Sequence, residues 1–133
     1  MDDVHEALAT FDRTFASGDA DALTERFAPD ARLLILFSPE LVGRDAIRDH
    51  WRGVFGDYDP GAWRSTHDVV EVHGDRAYAQ TTYEETLVHR RGEAALRVRG
   101  RLILFLRRDP EGWLVTLAMN SHRQPIERIE PPG

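Results

Sequence analysis

The chain has 133 residues, 41% hydrophobic and 30% charged, with a formal net charge of −6 at pH 7. That length and balance fit one globular domain able to bury a core of its own. The lack of cysteine excludes disulfides and thiolate metal sites, the acidic balance argues against nucleic acid, and all 17 basic residues are arginine, which excludes lysine chemistry such as Schiff bases.

No apolar run approaches the roughly 18 residues that a membrane span needs. The acidic start at Asp2 and Asp3 is unlike a signal peptide. The expectation is a cytoplasmic protein with no membrane partner.

Val4, Leu8, Phe11 and Phe15 recur at helical spacing and predict an amphipathic helix over about residues 2–16. Ser17-Gly18 ends it. Asp19 is a good N-cap for a short second helix, with Asp21 in its first turn and Leu23 and Phe27 facing inward. Pro29-Asp30 stops that helix, and the apolar run Ala31 to Phe37 predicts a buried strand. Leu41-Val42 is a candidate return strand. A third helix follows Gly43, with Asp45 in its first turn and Ile47, Trp51, Val54 and Phe55 as its stripe. Gly56 to Gly61 is rich in breakers and predicts a loop.

Four long strands follow, over about residues 62–73, 76–89, 95–108 and 113–122. Gly74-Asp75, Arg91-Gly92-Glu93 and Asp109 to Gly112 supply the turns between them. Strands of this length exceed the usual five or six residues, and an antiparallel sheet built from them twists and coils. The helices then sit in its concave side around one small-molecule pocket. Leu102, Leu104 and Leu106 alternate with Ile103 and Phe105, so both faces of the third long strand are apolar. One face meets the helices, and the outer one predicts a homodimer. The domain is expected over residues 1–125, with 126–133 a loose tail.

The order of elements resembles the cone-shaped fold of the nuclear transport factor 2-like superfamily, with its ketosteroid isomerases and SnoaL-like polyketide cyclases. The residues that carry the resemblance are Phe15-Ala-Ser-Gly-Asp-Ala-Asp-Ala-Leu23 with Phe27-Ala-Pro-Asp-Ala31, then Gly43-Arg-Asp-Ala-Ile47 with Trp51 and Phe55. Gly74-Asp-Arg-Ala77, Arg107-Arg-Asp109 with Gly112-Trp113, and Ala118-Met-Asn-Ser121 complete it. It implies an α+β fold: a curved antiparallel or mixed sheet wrapped around three N-terminal helices, a cystatin-like α+β barrel. Such a fold hosts enzymes, binding domains and association domains alike.

The isomerase chemistry that the resemblance implies needs a tyrosine and two acids. Their places fall at Phe11, Ile35 and Ile103 or Leu104, all apolar here, so that mechanism is not expected. The kinase-association branch carries a His-x-His-x-Ser last strand, and the matching places read Leu117, Met119 and Ser121.

The remaining polar candidates are four. SnoaL-like dehydratases and cyclases often carry a histidine near the place of His67, where it suits proton shuttling; alternatively His67 is a half-exposed strand residue. Tyr83 and Glu85 share a face, and a buried Glu85 would act as acid or base; in the other register the two acids Glu84 and Glu85 flank a solvated strand end. Arg97, Arg99 and Arg101 also share a face. Inward, Arg101 would clamp a ligand oxyanion; outward, the three pair with Glu84, Glu85 or Glu93. Asn120, the chain's only asparagine, would orient a ligand carbonyl or bond to backbone. Trp51, Trp63, Phe11, Ile35, Phe37, Phe55 and Met119 are the candidate apolar walls, and for the aromatics plain core packing is the alternative.

No Gly-rich phosphate loop, zinc motif or nucleophile elbow is present, so no metal or cofactor is expected. Two functions stay open: a cofactor-free cyclase, isomerase or dehydratase acting by proton transfer, and a non-catalytic domain that binds a small hydrophobic molecule or serves as a dimeric accessory.

Overall fold

Asp3 opens the chain's first helix as its N-cap: the carboxylate accepts from the His5 amide at 2.8 Å. Helix α1 (Val4–Ser17) ends at Gly18, whose φ of 71° is left-handed and favours glycine. Asp19 then caps α2 (Ala20–Thr24), accepting from the Ala22 amide at 3.0 Å. β1 (Phe27–Leu34), β2 (Leu41–Val42) and α3 (Arg44–Asp57) follow. The long strands are β3 (Tyr58–His73), β4 (Arg76–His89), β5 (Ala95–Asp109) and β6 (Gly112–His122), with a short β7 (Glu127–Ile129). The computed structural model describes residues 3–36, 38–92, 94–122 and 125–129.

Among the described residues the strands form one mixed sheet in the order β2-β1-β6-β5-β4-β3, with β7 added beside β5. β1 runs parallel to β6 and every other pair is antiparallel. The outer strands β2 and β3 do not pair, so the barrel stays open. α1 packs on β3 and β6, and α3 packs on β1 and β3. Helices that touch both ends of one sheet are wrapped by it, which is the expected cone.

The core lies between helices and sheet. Leu8, Phe11 and Phe15 of α1 meet Ile47, Trp51 and Phe55 of α3, with Ala77, Ala79, Leu104 and Leu106 beneath. Burial of each large apolar side chain contributes about 1.5–3 kcal/mol. Ala77 and Ala79 of β4 are buried in this core.

Three boundaries differ from expectation. The second helix stops at Thr24, and β1 starts at Phe27 rather than Ala31. Pro29 lies where the β1–β6 register shifts between Phe27 and Arg32, an irregular stretch that tolerates a missing N–H. The expected loop over Gly56 to Gly61 is instead the end of α3 and the start of β3. β3 is an edge strand, and a register shift between Pro60 and Trp63 absorbs its breakers. The tail expected to be loose includes β7, in which Ile129, Arg128 and Glu127 pair with Ala95, Leu96 and Arg97. Phe37 and Glu93, and the tail from residue 130 onward, lie outside the described residues.

Candidate functional site

Register decides which side chains enter the cone. Cross-strand partners share a face: Ser65–Tyr83–Gly100–His122 and His67–Thr81–Leu102–Asn120 run from β3 to β6, and Trp63–Glu85–Val98 runs from β3 to β5. All of these lie on the side that faces the helices. A cavity of about 280 Å³ opens there between α1, α3 and the sheet. Its wall is largely apolar, and it includes Phe11, Ile35, Trp51, Trp63, Tyr83, Glu85 and Asn120, all anticipated from sequence.

Glu85 has Trp63 and Val98 as its cross-strand neighbours, so no charge faces it along the ladder. Its Oε2 is buried without a hydrogen-bond partner among the described residues. Burial pushes its carboxyl up to about 7, because the charged form loses its water. Such a group gives and takes a proton near neutral pH.

Tyr83 stands two residues away. Its ring stacks on Trp63, centroids 5.1 Å apart and planes 16° from parallel. The Asn120 Nδ2 donates to Tyr83 Oη at 3.3 Å, and the Leu36 amide donates to Asn120 Oδ1 at 3.1 Å. The second bond fixes which way the amide points. Burial raises the Tyr83 phenol above its ordinary value, the Asn120 bond opposes this, and the Glu85 charge adds to it.

Gly100 is why the phenol fits. A Cβ at that position would stand 2.8 Å from Tyr83 Oη and 2.6 Å from the Ser121 carbonyl oxygen. His50 and His122 also line the cavity. Burial holds the His50 imidazole below its usual value, hence neutral at pH 7.

His67 faces the helices but does not line this cavity. Its Nε2 lies 2.9 Å from Asp12 Oδ2 and its Nδ1 lies 2.7 Å from Thr81 Oγ1. In the neutral ring Nε2–H donates to the carboxylate, and Nδ1 then accepts from the threonine hydroxyl. Asp12 also accepts from Trp63 Nε1 at 3.2 Å and Ser65 Oγ at 3.1 Å. One carboxylate of α1 thus ties down three alternate residues of the edge strand. The sequence reading missed Asp12 and His50. The polar heads at Trp63, Ser65 and His67, spaced by two, were the available sign that a partner lay opposite.

Two expected ligand groups sit elsewhere. Arg101 pairs with Thr82 and Ser121 on the outer face and is exposed. Leu102, Leu104 and Leu106 take the inner positions, since burying them releases apolar surface while burying arginines would strip charges of water. Arg97 and Arg99 share the outer face with Arg101 and bridge to Glu84 and Glu127. Met119 is also outward, 43% exposed, because Ala118 and Asn120 take the inner places of β6. Among the described residues no group of three or more His, Asp or Glu is placed to hold a metal ion. No helix among them is long and apolar enough to cross a membrane.

Comparison with known proteins agrees with this architecture. The sequence profile of the SnoaL-like domain matches residues 7–114. No curated protein sequence matches the chain. Among solved structures, a ketosteroid isomerase-like protein from Erwinia carotovora atroseptica SCRI1043 superposes with a TM-score of 0.82 at 19% identity, over 91% of this chain and 94% of that one. A type 2 hexachlorocyclohexane dehydrochlorinase gives 0.80 at 14% identity, over 98% and 95%. A domain of unknown function with a cystatin-like fold from Nostoc punctiforme PCC 73102 gives 0.73 at 13% identity, over 91% and 75%. At these identities the likeness concerns the fold.

Proposed function

The chain belongs to the SnoaL-like domain family, and on that footing we propose that its cone binds a small, mostly apolar molecule and moves a proton on it without a cofactor, with Glu85 as the acid–base group. The observation that carries this reading is the buried, unpartnered Glu85 carboxyl, held near 7 in an aromatic cavity. A carboxylate in that setting is a stronger base than in water, and both its protonated and its ionised forms are populated near neutral pH. In isomerisation, cyclisation or dehydration, the C–H proton beside a carbonyl passes to Glu85 and its electron pair moves to the carbonyl oxygen. Tyr83 O–H, held by Asn120, is placed to stabilise the oxyanion. Two structural neighbours are named for an isomerase-like and a dehydrochlorinase protein, which supports chemistry on small apolar molecules in this fold. The Tyr–acid–acid set of steroid isomerases does not fit, since Phe11 and Ile35 line the cavity where two of its members would stand.

Deuterium exchange into 1-tetralone, followed by NMR, tests the reading. The protein accelerates exchange at the carbon beside the carbonyl, and Glu85→Gln returns it to the buffer rate. Exchange at the buffer rate with the unaltered protein, alongside measurable binding, would leave a non-catalytic binding domain.

A second reading has its own observation. The 2.9 Å contact between His67 and Asp12 is a histidine–carboxylate pair of the kind that transfers protons. It requires the substrate to reach a ring that does not line the cavity, and it predicts loss of exchange in His67→Ala rather than in Glu85→Gln.

We also propose that a second copy of the chain covers the outer sheet face. Phe105 and Met119, 42% and 43% exposed, support it together with the nearby Ile103 and Leu117.

A further inference from the structure

Helix α3 turns a histidine toward the cavity. Ile47, His50, Trp51 and Val54 are spaced i, i+3, i+4 and i+7, which puts all four on one face of that helix. His50, Trp51 and Val54 line the cavity. His50 is the titratable member of this stripe. Its ring meets the Trp51 ring edge-on at 4.7 Å and has no hydrogen-bond partner among the described residues. Its nitrogens are not sealed in: among the described residues the buried side-chain polar atoms without a partner are Trp51 Nε1 and Glu85 Oε2. The half-buried imidazole thus has its donor and its acceptor free for a ligand.

Glu85 enters the same cavity from the other wall. Its ladder, Trp63–Glu85–Val98, lies on the concave side of the sheet, and α3 packs over β1 and β3 on that side. A molecule held between them has the sheet on one face and α3 on the other. Near neutral pH the acid form of Glu85 is populated, because burial pushes the carboxyl up to about 7, and burial keeps the imidazole neutral. The sheet wall then offers a proton and the helix wall a lone pair. His122 also lines the cavity, but from β6 on the sheet wall, so His50 is the histidine opposite Glu85.

We propose that His50 and Glu85 act as a pair on opposite faces of the bound molecule, so that the site inverts a stereocentre beside a carbonyl group. This deepens the reading of Glu85 as the acid–base group and rests on it. His50 takes the proton from the carbon beside the carbonyl on the helix side, and the C–H electron pair moves to the carbonyl oxygen. Glu85 gives its proton to the same carbon on the sheet side, and the electron pair returns from the oxygen to form the new C–H bond. One proton leaves and one arrives, with configuration inverted. The site then holds an imidazolium and a carboxylate, and the mirror-image substrate runs the steps backwards. The two groups are unequal. An imidazolium in an apolar cavity needs the carboxylate formed with it, whereas ionised Glu85 becomes neutral on taking a proton and needs no partner. Glu85 therefore exchanges the hydrogen on its own face without His50, and His50 exchanges nothing without Glu85.

The probes are the two enantiomers of 2-methyl-1-tetralone in heavy water, with deuterium uptake read by NMR and configuration by chiral chromatography. The unaltered protein interconverts them, and deuterium enters with inversion. His50→Gln slows interconversion by at least about a hundredfold, the scale of one acid–base group, and keeps exchange of one enantiomer within about tenfold, its configuration retained. Exchange with retained configuration in the unaltered protein, or interconversion that survives His50→Gln, would overturn the proposal and leave Glu85 as the lone base. Loss of all exchange in folded His50→Gln would overturn it too, since Glu85 would then not act on its own face. Failure of the unaltered protein to exchange either enantiomer would overturn the proposal together with the reading of Glu85. Should His50→Gln not fold, His50→Leu, which matches the apolar stripe, carries the same readouts, and uptake without inversion by the unaltered protein overturns the proposal whatever the variants do.

Discussion

Tyr83 and Gly100 face each other across the β4–β5 ladder, and the tyrosine hydroxyl occupies the space that a side chain at position 100 would need. A Cβ there meets the hydroxyl at 2.8 Å and the Ser121 carbonyl oxygen at 2.6 Å. The tyrosine can swing aside, but the sheet backbone cannot. Gly100→Ala is therefore expected to cost about 1–3 kcal/mol by overpacking. It also displaces Tyr83 from Asn120. Thermal or denaturant unfolding measures the first effect. A Tyr83→Phe background checks the second, since there the loss of 1-tetralone binding caused by Gly100→Ala becomes smaller.

Glu85 links stability to pH. Its folded pKa of about 7 lies above the 4.5 of the exposed group. Stability from the protonated carboxyl is thus fully present below pH 4.5 and lost as pH rises through 7. The loss amounts to about 3 kcal/mol at most. Glu85→Gln cannot ionise and is expected to remove this slope. Denaturant unfolding at pH 5 and pH 8 checks it: the unaltered protein loses stability between the two, and the variant loses markedly less.

Asp12 is the clip between α1 and the edge strand. Asp12→Ala leaves Trp63 Nε1, Ser65 and His67 without their shared acceptor. The expected cost is about 1–3 kcal/mol. Hydrogen exchange should show it as faster opening of β3, with the β5–β6 ladder unchanged. His67→Ala costs less, about 1 kcal/mol, because Asp12 keeps two donors. It leaves 1-tetralone binding and exchange within about twofold, given the place of the ring outside the cavity wall. A collapse of exchange in His67→Ala would instead favour the second reading.

The outer face supplies a further test. Phe105→Glu puts a charge in the middle of the apolar patch formed with Met119 and Tyr78. Sedimentation is expected to show a dimer for the unaltered chain and a monomer for this variant. A monomer in both cases would remove the proposed second copy.

How far the site could be read in advance followed the strength of local patterns. Helical spacing in Val4, Leu8, Phe11 and Phe15 and in Ile47, Trp51 and Phe55 identified both large helices, because one buried stripe leaves a period of 3.6. Tyr83 and Glu85 were placed on one face by period two alone, but which face was inward had to wait for the register. At β5 the alternation was ambiguous: Arg97, Arg99 and Arg101 run into Ile103 and Phe105 on one face, while Leu102 and Leu104 occupy the other. Its apolar neighbours kept an inward place open for Arg101 beside the outward, ion-paired one, and the larger apolar content of Leu102, Leu104 and Leu106 decides for the outward place. Asp12 left no local trace as a partner of His67, since their bond joins residues 55 apart in sequence. The start of β3 was hidden by Asp59, Pro60 and Gly61, breakers that an edge strand accommodates.

The central claim is that Glu85 changes protonation near neutrality inside the cone. A ¹³C NMR titration of the glutamate carboxyls, with Glu85 assigned by its absence in Glu85→Gln, tests it most directly. The expected midpoint of that resonance is about 7. A midpoint near 4.5 would make Glu85 an ordinary ionised carboxylate and would contradict the proposed proton transfer.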